Sequence, residues 1–475
     1  MYQEQIISFN PATKEEIGRI PIAKKLDIHN AVESSKKAFN EWKSLTFETR
    51  GNFLKNLATE LEHNIENIAK LITSEMGKPI KESAGEVTKT SNFLKFFAEK
   101  AEGYMLDSSI QDTGEKEAKI IYEPIGSVAA IKPWNLPLQT PIWAIGPALM
   151  SGCTVVLKPS ENTLLVAKEL EKLVMKCNFP KGVLSVIYGG KETGMSLLHE
   201  NIDMVSFTGS VAAGKQVSKS VADRFIKTSL ELGGKDAIIV LPDCDLDFAA
   251  MAIVWGSTTN CGQFCSSIER VYIHREIYKP LLDRVVELTR QIRVGNGINS
   301  NIDMGPVVNE QQYNLILNHI NDALSKGAKA LIGGSSYDKG ELSKGYFIKP
   351  TVLVDINHNM DIMKVETFGP IICAMPFDDL EKGISLVNDS YYGLGASIIT
   401  QDKDLAEKIA SDIDVGMVWI NEPLLSMAAC PWIARKGSGL GYELGQIGLH
   451  EFVKPKLINS QYEDNKKNRI WWYPY

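Results

Sequence analysis

The apolar positions of the first hundred residues recur mostly at helical spacing. Ile28, Val32, Phe39 and Trp42 fall near one face over Asp27 to Leu45, and Phe53, Leu54, Leu57, Leu61, Ile65 and Ile68 do so over Phe47 to Glu75. From Ala118 the rhythm changes. Short runs rich in β-branched residues follow one another: Ile120-Ile121-Tyr122, Val128 to Ile131, Thr154 to Leu157, Val183 to Ile187 and Met204 to Phe207. Helical patterns such as Leu164 to Met175 separate them, which predicts right-handed βαβ units and a largely parallel sheet. A second alternating region starts at Asp236 to Val240. It continues through Val271 to Ile273, helices over Leu281–Ile292 and Glu310–Lys326, and Val415 to Ile420. The pattern predicts two α/β halves meeting near Gly233, with ligands held at the carboxyl ends of the strands.

Composition narrows the class. The chain has 475 residues, 44% hydrophobic and 23% charged, too long for one ordinary core. Its net charge of -7 opposes nucleic acid as a partner. Seven cysteines without scaffold spacing, and no basic-then-apolar segment over Met1 to Asn10, predict a protein of the reducing cytoplasm. Leu136 to Met150 is the longest apolar stretch, and Pro137, Gln139, Pro141 and Pro147 break it, so no integral membrane segment is expected.

Several short segments carry candidate chemistry. Asn260-Cys261-Gly262-Gln263-Phe264-Cys265 places a thiol in a glycine-bearing turn, and Glu231-Leu232-Gly233-Gly234-Lys235 ends an apolar run on a carboxylate. A lone buried cysteine is more often a small hydrophobe than a nucleophile. Together, however, a thiolate and a carboxylate are what oxidation of an aldehyde to an acid needs, one to attack the carbonyl and one to activate water. Phe207-Thr208-Gly209-Ser210 through Gly214-Lys215 follows a strand and opens a helix, a turn suited to a phosphate. Gln216 lacks the hydroxyl that would hold magnesium in a nucleotide hydrolase. Lys158-Pro159-Ser160-Glu161 leaves a strand with groups able to bond a ribose diol, and Asn135 in Pro133-Trp134-Asn135-Leu136-Pro137 is a neutral amide donor. Cys261 and Cys265 have no histidine beside them, so no metal site is expected.

Over residues 8 to 455 these segments, in order, together with Glu366-Thr367-Phe368-Gly369-Pro370, resemble the aldehyde dehydrogenase superfamily. The resemblance implies two Rossmann-like domains, with NAD(P) bound by 1–104 and 124–233, catalysis in 234–447, and a small β oligomerisation extension from 105–123 and 448–462. It implies Cys265 as nucleophile, Glu231 as activator of the hydrolytic water, and Asn135 with the Cys265 N–H as oxyanion hole. The cofactor would lie against Trp134, Lys158, Ser160, Glu161, Gly209, Ser210, Gly214, Leu232, Gly233, Glu366 and Phe368. Leu136, Gln139, Thr140, Trp143, Phe264, Ser266, Leu424, Ser426 and Trp432 would line the aldehyde tunnel, a mostly apolar wall with a few hydroxyls and an amide; without a cluster of Arg or Lys for a dicarboxylate semialdehyde or an acidic cage for a quaternary amine, it is expected to suit a medium-sized apolar or aromatic aldehyde. NAD is the expected cofactor, with NADP also accommodated. A homodimer or homotetramer is expected.

The chain departs from the family pattern where Ile433 and Ala434 replace two glycines and Tyr442 replaces an arginine, which predicts a reshaped turn and a lost cation. The aromatic tail 463–475 is expected to pack on this protein or a sister subunit. Two rivals remain. An acylating enzyme would pass its thioester to coenzyme A, against which Glu231 argues. A catalytically idle scaffold would show no NAD-linked turnover.

Overall fold

The computed structural model describes residues 4–106, 108–112 and 116–461. The first alternating region forms a sheet whose parallel strands lie in the order Lys227–Glu231, Met204–Thr208, Ser127–Ile131, Thr154–Lys158, Leu184–Val186. Helices cover it, and Ser127–Ile131 and Thr154–Lys158 are buried at every residue, which is why they read as continuous apolar runs rather than alternating ones. The strand order reverses between Ser127–Ile131 and Met204–Thr208. A crevice therefore opens beyond their carboxyl ends. The chain leaves the first of these strands as Lys132-Pro133-Trp134-Asn135 and the second as Gly209-Ser210.

The second sheet runs Lys329–Ile332, Thr351–Val354, Ile371–Phe377, Ile268–His274, Asp236–Val240, Gly395–Ile399, Met417–Ile420, and Lys329–Ile332 pairs antiparallel. Two α/β halves are thus present as expected, but the second is oriented differently from the sequence expectation. Only Leu232–Lys235 joins the first sheet's last parallel strand to Asp236–Val240. So short a link starts the second sheet where the first stops. Its amino ends face the crevice, and the segments before Ile268 and Ile371 line it.

Other differences have local causes. The apolar residues near the N-terminus form a hairpin, Gln5–Phe9 with Glu16–Pro21, ahead of the helices. The helix expected over 47–75 divides into Phe47–His63 and Ile65–Met76 at Asn64, whose side-chain amide bonds the Glu60 carbonyl (2.7 Å) and competes with the backbone. The apolar stretch near 136–150 contains a wholly buried core helix, Gln139–Ser151. No helix among the described residues is long and apolar enough to cross a membrane.

After Met417–Ile420 the chain returns to the first half. Gly439–Leu440 pairs antiparallel with Leu230 and Glu231, forming the edge of the first sheet. Val453–Gln461 pairs with Lys116–Pro124, which pairs with Ser108–Asp112, giving a small three-stranded antiparallel sheet. Ile433 sits in ordinary extended pairing opposite Tyr442, and the left-handed conformations fall instead at Lys436 (φ 51°) and Gly439 (φ 142°). Neither Ile433 nor Ala434 takes a positive φ. The tail 463–475 lies outside the described residues.

Candidate active site

A cavity of about 920 Å³ opens between the carboxyl ends of the first sheet and the amino ends of the second. Cys265 reaches it from an irregular segment. The helix Leu246–Thr258 ends, and Asn260, Cys261 and Gly262 follow in the left-handed region (φ 52°, 57° and 70°). A side chain at 262 would collide with the Gly369 carbonyl, so glycine is required there. The kink turns Cys261 into the second-half core and leaves Cys265 half-buried in the cavity wall. Burial, reinforced by the carboxylates of Glu231, Asp236, Glu366 and Glu443, pushes the Cys265 thiol well above its ordinary range.

Glu231 ends a parallel strand of the first sheet and lines the same cavity. Both carboxylate oxygens are buried and neither accepts a hydrogen bond from the described chain. Burial raises its pKa well above the usual carboxylate range, the neighbouring Glu443 adds to this, and Lys132 opposes it. Lys132 is itself buried, 2.5 Å from Glu443 and 2.9 Å from the Thr208 hydroxyl. It places a cation beside Glu443, one residue after Tyr442, where the family pattern would supply an arginine. Breaking a buried pair of this kind costs about 3–5 kcal/mol because the partner is left as an uncompensated charge. Lys132→Met is expected to lose that much stability in urea denaturation, and an unchanged midpoint and slope would refute the pair's role.

Asn135 is buried, with Nδ2 donating to the Gln263 carbonyl (3.0 Å). Its own carbonyl accepts from Lys78 Nζ (3.0 Å) and Asn260 Nδ2 (3.1 Å). Lys78 is held by Glu86 at 2.5 Å, and Glu86 also accepts the N–H groups of Leu138 and Gln139. This buried network locks the Asn135 amide beside the Cys265 segment while leaving one of its two amide hydrogens uncommitted.

The residues expected to hold a dinucleotide fall into two groups. Trp134, Gly209, Ser210, Leu232, Gly233, Glu366 and Phe368 line the cavity. Ser210 caps the helix Val211–Val221 by accepting the Ala213 N–H, so a helix N-terminus faces the opening. Glu366 Oε1 accepts the Gly234 N–H (2.8 Å), and burial pushes its pKa up to about 8. Phe368, in the left-handed region at φ 54°, packs edge-on against Trp134 with centroids 5.4 Å apart. Lys158, Ser160, Glu161 and Gly214 do not line this cavity. Lys158 and Glu161 form a 3.2 Å ion pair just beyond a neighbouring strand, with Lys158 buried and Glu161 exposed. Gly214 is buried where a side chain would strike Leu232. A capped helix N-terminus at the opening, an ionisable pair beside a strand end and a carboxylate at the inner wall fit a dinucleotide.

The nine residues expected to line an aldehyde tunnel all line the cavity. Trp432 packs against Trp143 and Trp419 with centroids 5.3 and 6.0 Å apart. Lys78, Glu82, Glu86, Lys89 and Glu443 also line the cavity, and Lys132 pairs with Glu443, although none of them was expected there from the sequence. Glu82, Glu86 and Lys89 recur at i, i+4, i+7 on the helix Ile80–Tyr104, a polar stripe on an otherwise core-facing helix that was available as a signal. Among the described residues no group of histidine, cysteine or acidic side chains could hold a metal ion.

A sequence model of the aldehyde dehydrogenase family matches residues 2–458. The chain belongs to that family. It is 35% identical over 473 residues to a peroxisomal aminoaldehyde dehydrogenase 2 of Malus domestica, covering 98% of this chain and 94% of that protein. Among solved structures it is similar to betaine aldehyde dehydrogenase of Staphylococcus aureus in complex with NAD+, with a TM-score of 0.94, 32% identity, and 99% and 93% of the two chains covered. It is also similar to an NADP dependent enzyme of E. coli, with a TM-score of 0.93, 32% identity, and coverage of 96% and 95%.

Proposed function

We propose that the protein oxidises an aldehyde to a carboxylic acid with NAD, through a covalent intermediate on Cys265. The observation that carries this is the meeting of Cys265, Glu231 and the Asn135 amide in one cavity, beside a turn suited to a dinucleotide. The Cys265 thiol gives its proton to solvent, and its sulfur bonds the aldehyde carbon. The free Asn135 amide hydrogen and the Cys265 backbone N–H receive the oxygen's developing charge. NAD, when bound, supplies the acceptor that takes the hydride, which leaves a thioester on Cys265. Glu231 draws a proton from water, the resulting hydroxide adds to the thioester carbon, and the carbon–sulfur bond breaks to release acid and thiolate. A carboxyl group whose pKa is raised by burial is a stronger base once ionised, which suits this step. The test is NADH formation from a panel of aldehydes, with the product identified as free acid whether or not coenzyme A is present. No turnover, or an acyl-coenzyme A product, would refute the reading.

Lys158 and Glu161 would bond the adenosine ribose, Ser210 and the Gly209 turn would hold the pyrophosphate, and Glu366 and Phe368 would hold the nicotinamide end. A carboxylate at 161 repels a 2′-phosphate, and its exposure and its Lys158 partner moderate that repulsion. The expected result is a preference for NAD over NADP that Glu161→Ser shifts toward NADP by roughly tenfold in relative kcat/KM. A wild-type preference for NADP, or an unchanged ratio, would refute the assignment. Association with further copies is expected through the three-stranded sheet, where Ile110 and Leu457 are exposed.

A further inference from the structure

We propose that Lys89 selects aldehydes whose far end carries a carboxylate. The inference rests on the reading of the cavity as an aldehyde site and names its substrate class.

Lys89 lies on the helix Ile80–Tyr104, and its Nζ is 3.3 Å from the hydroxyl of Ser426, a residue of the expected aldehyde wall. The ammonium has no ion-pair partner among the described residues, although it is half-buried and burial lowers its pKa. The two carboxylates on the same helical stripe are otherwise engaged. Glu86 is held by Lys78 and two backbone N–H groups, and Glu82 accepts the Asn260 N–H. A partly desolvated, unpaired cation in a binding wall is costly until an anion meets it. A substrate carboxylate supplies two acceptor oxygens, one for the ammonium and one for the Ser426 hydroxyl, and Leu136, Trp143 and Trp432 offer apolar surface to the methylenes between. A cationic aldehyde would meet like charge there. On this proposal the cationic aldehydes in the relatives' names are poorer substrates for this chain than a carboxylate-bearing one.

The test compares kcat/KM for 4-oxobutanoate, butanal, 4-aminobutanal and glyceraldehyde 3-phosphate in the wild-type protein, Lys89→Met and Lys89→Glu. The wild type is expected to favour 4-oxobutanoate. Lys89→Met should lower the ratio of 4-oxobutanoate to butanal by about 10- to 100-fold, the range for a charge-assisted hydrogen bond. Lys89→Glu should move the preference toward 4-aminobutanal. A wild-type preference for the phosphorylated aldehyde overturns the carboxylate assignment. A ratio unchanged by Lys89→Met overturns the role of Lys89 while aldehyde oxidation stands. Absence of turnover with every aldehyde overturns the underlying function itself.

Discussion

Replacing Cys265 with serine is expected to abolish NAD-linked aldehyde turnover, a loss of about 10³-fold or more, while the fold and cofactor binding persist. A hydroxyl ionises far less readily than a thiol and is a poorer nucleophile in this setting. The Cys265 thiol is held above its usual range by burial and four carboxylates, which disfavours the thiolate. The reactive form exists above the thiol's pKa. The first-turnover rate is therefore expected to rise with pH and to fall as the medium is acidified. Cys261→Ser should be mild, because that side chain packs in the second-half core away from the cavity. Parallel kinetics and thermal melts on the two variants decide the matter. Activity surviving in Cys265→Ser but lost in Cys261→Ser would reverse the assignment.

Glu231→Gln is expected to separate the two halves of the reaction. Hydride leaves before water is needed, so a burst of NADH close to one per active site should remain. Steady-state turnover should fall by roughly 10²–10⁴-fold, the usual cost of losing a general base. The buried, unbonded carboxylate oxygens make the variant a clean one, since no hydrogen bond from the described chain is broken. Rapid-mixing absorbance measurements read both phases. Equal collapse of burst and steady state would move Glu231 to a step before hydrolysis.

Much of this architecture can be read from the chain because its strands are buried on both faces and write themselves as uninterrupted β-branched runs. Thr154 to Leu157 predicts Thr154–Lys158, and Asp236 to Val240 matches the strand residue for residue. The motif residues were legible for a related reason, since they stand at strand ends and turns where backbone geometry restricts the sequence. What was not legible depends on long-range placement. Nothing near Asp236 shows that its strand presents its amino end to the crevice, because that follows from the shortness of the link behind it. Lys132 and Glu443 lie 311 residues apart and become partners only when the chain returns. Lys89 belongs to no short motif, and its significance comes from Ser426 across the cavity.

That return has a consequence for how the molecule is made. Trp432, Ala434, Leu444, Leu449 and Phe452 pack into the same core as Trp42, Phe97 and Val128, and the Phe452 carbonyl accepts from both the Ile125 N–H and the Cys153 thiol. As the chain emerges from the ribosome, the first half is the earlier to appear yet lacks its edge strand and part of its interior. Its last parallel strand ends at Glu231, and it cannot close until the chain has been synthesised past Trp432. The core of the second half lies within residues 237–415 and needs no such return, so a nascent chain stopped short of residue 430 is expected to leave only the amino-terminal half with exposed apolar surface that chaperones and proteases can recognise.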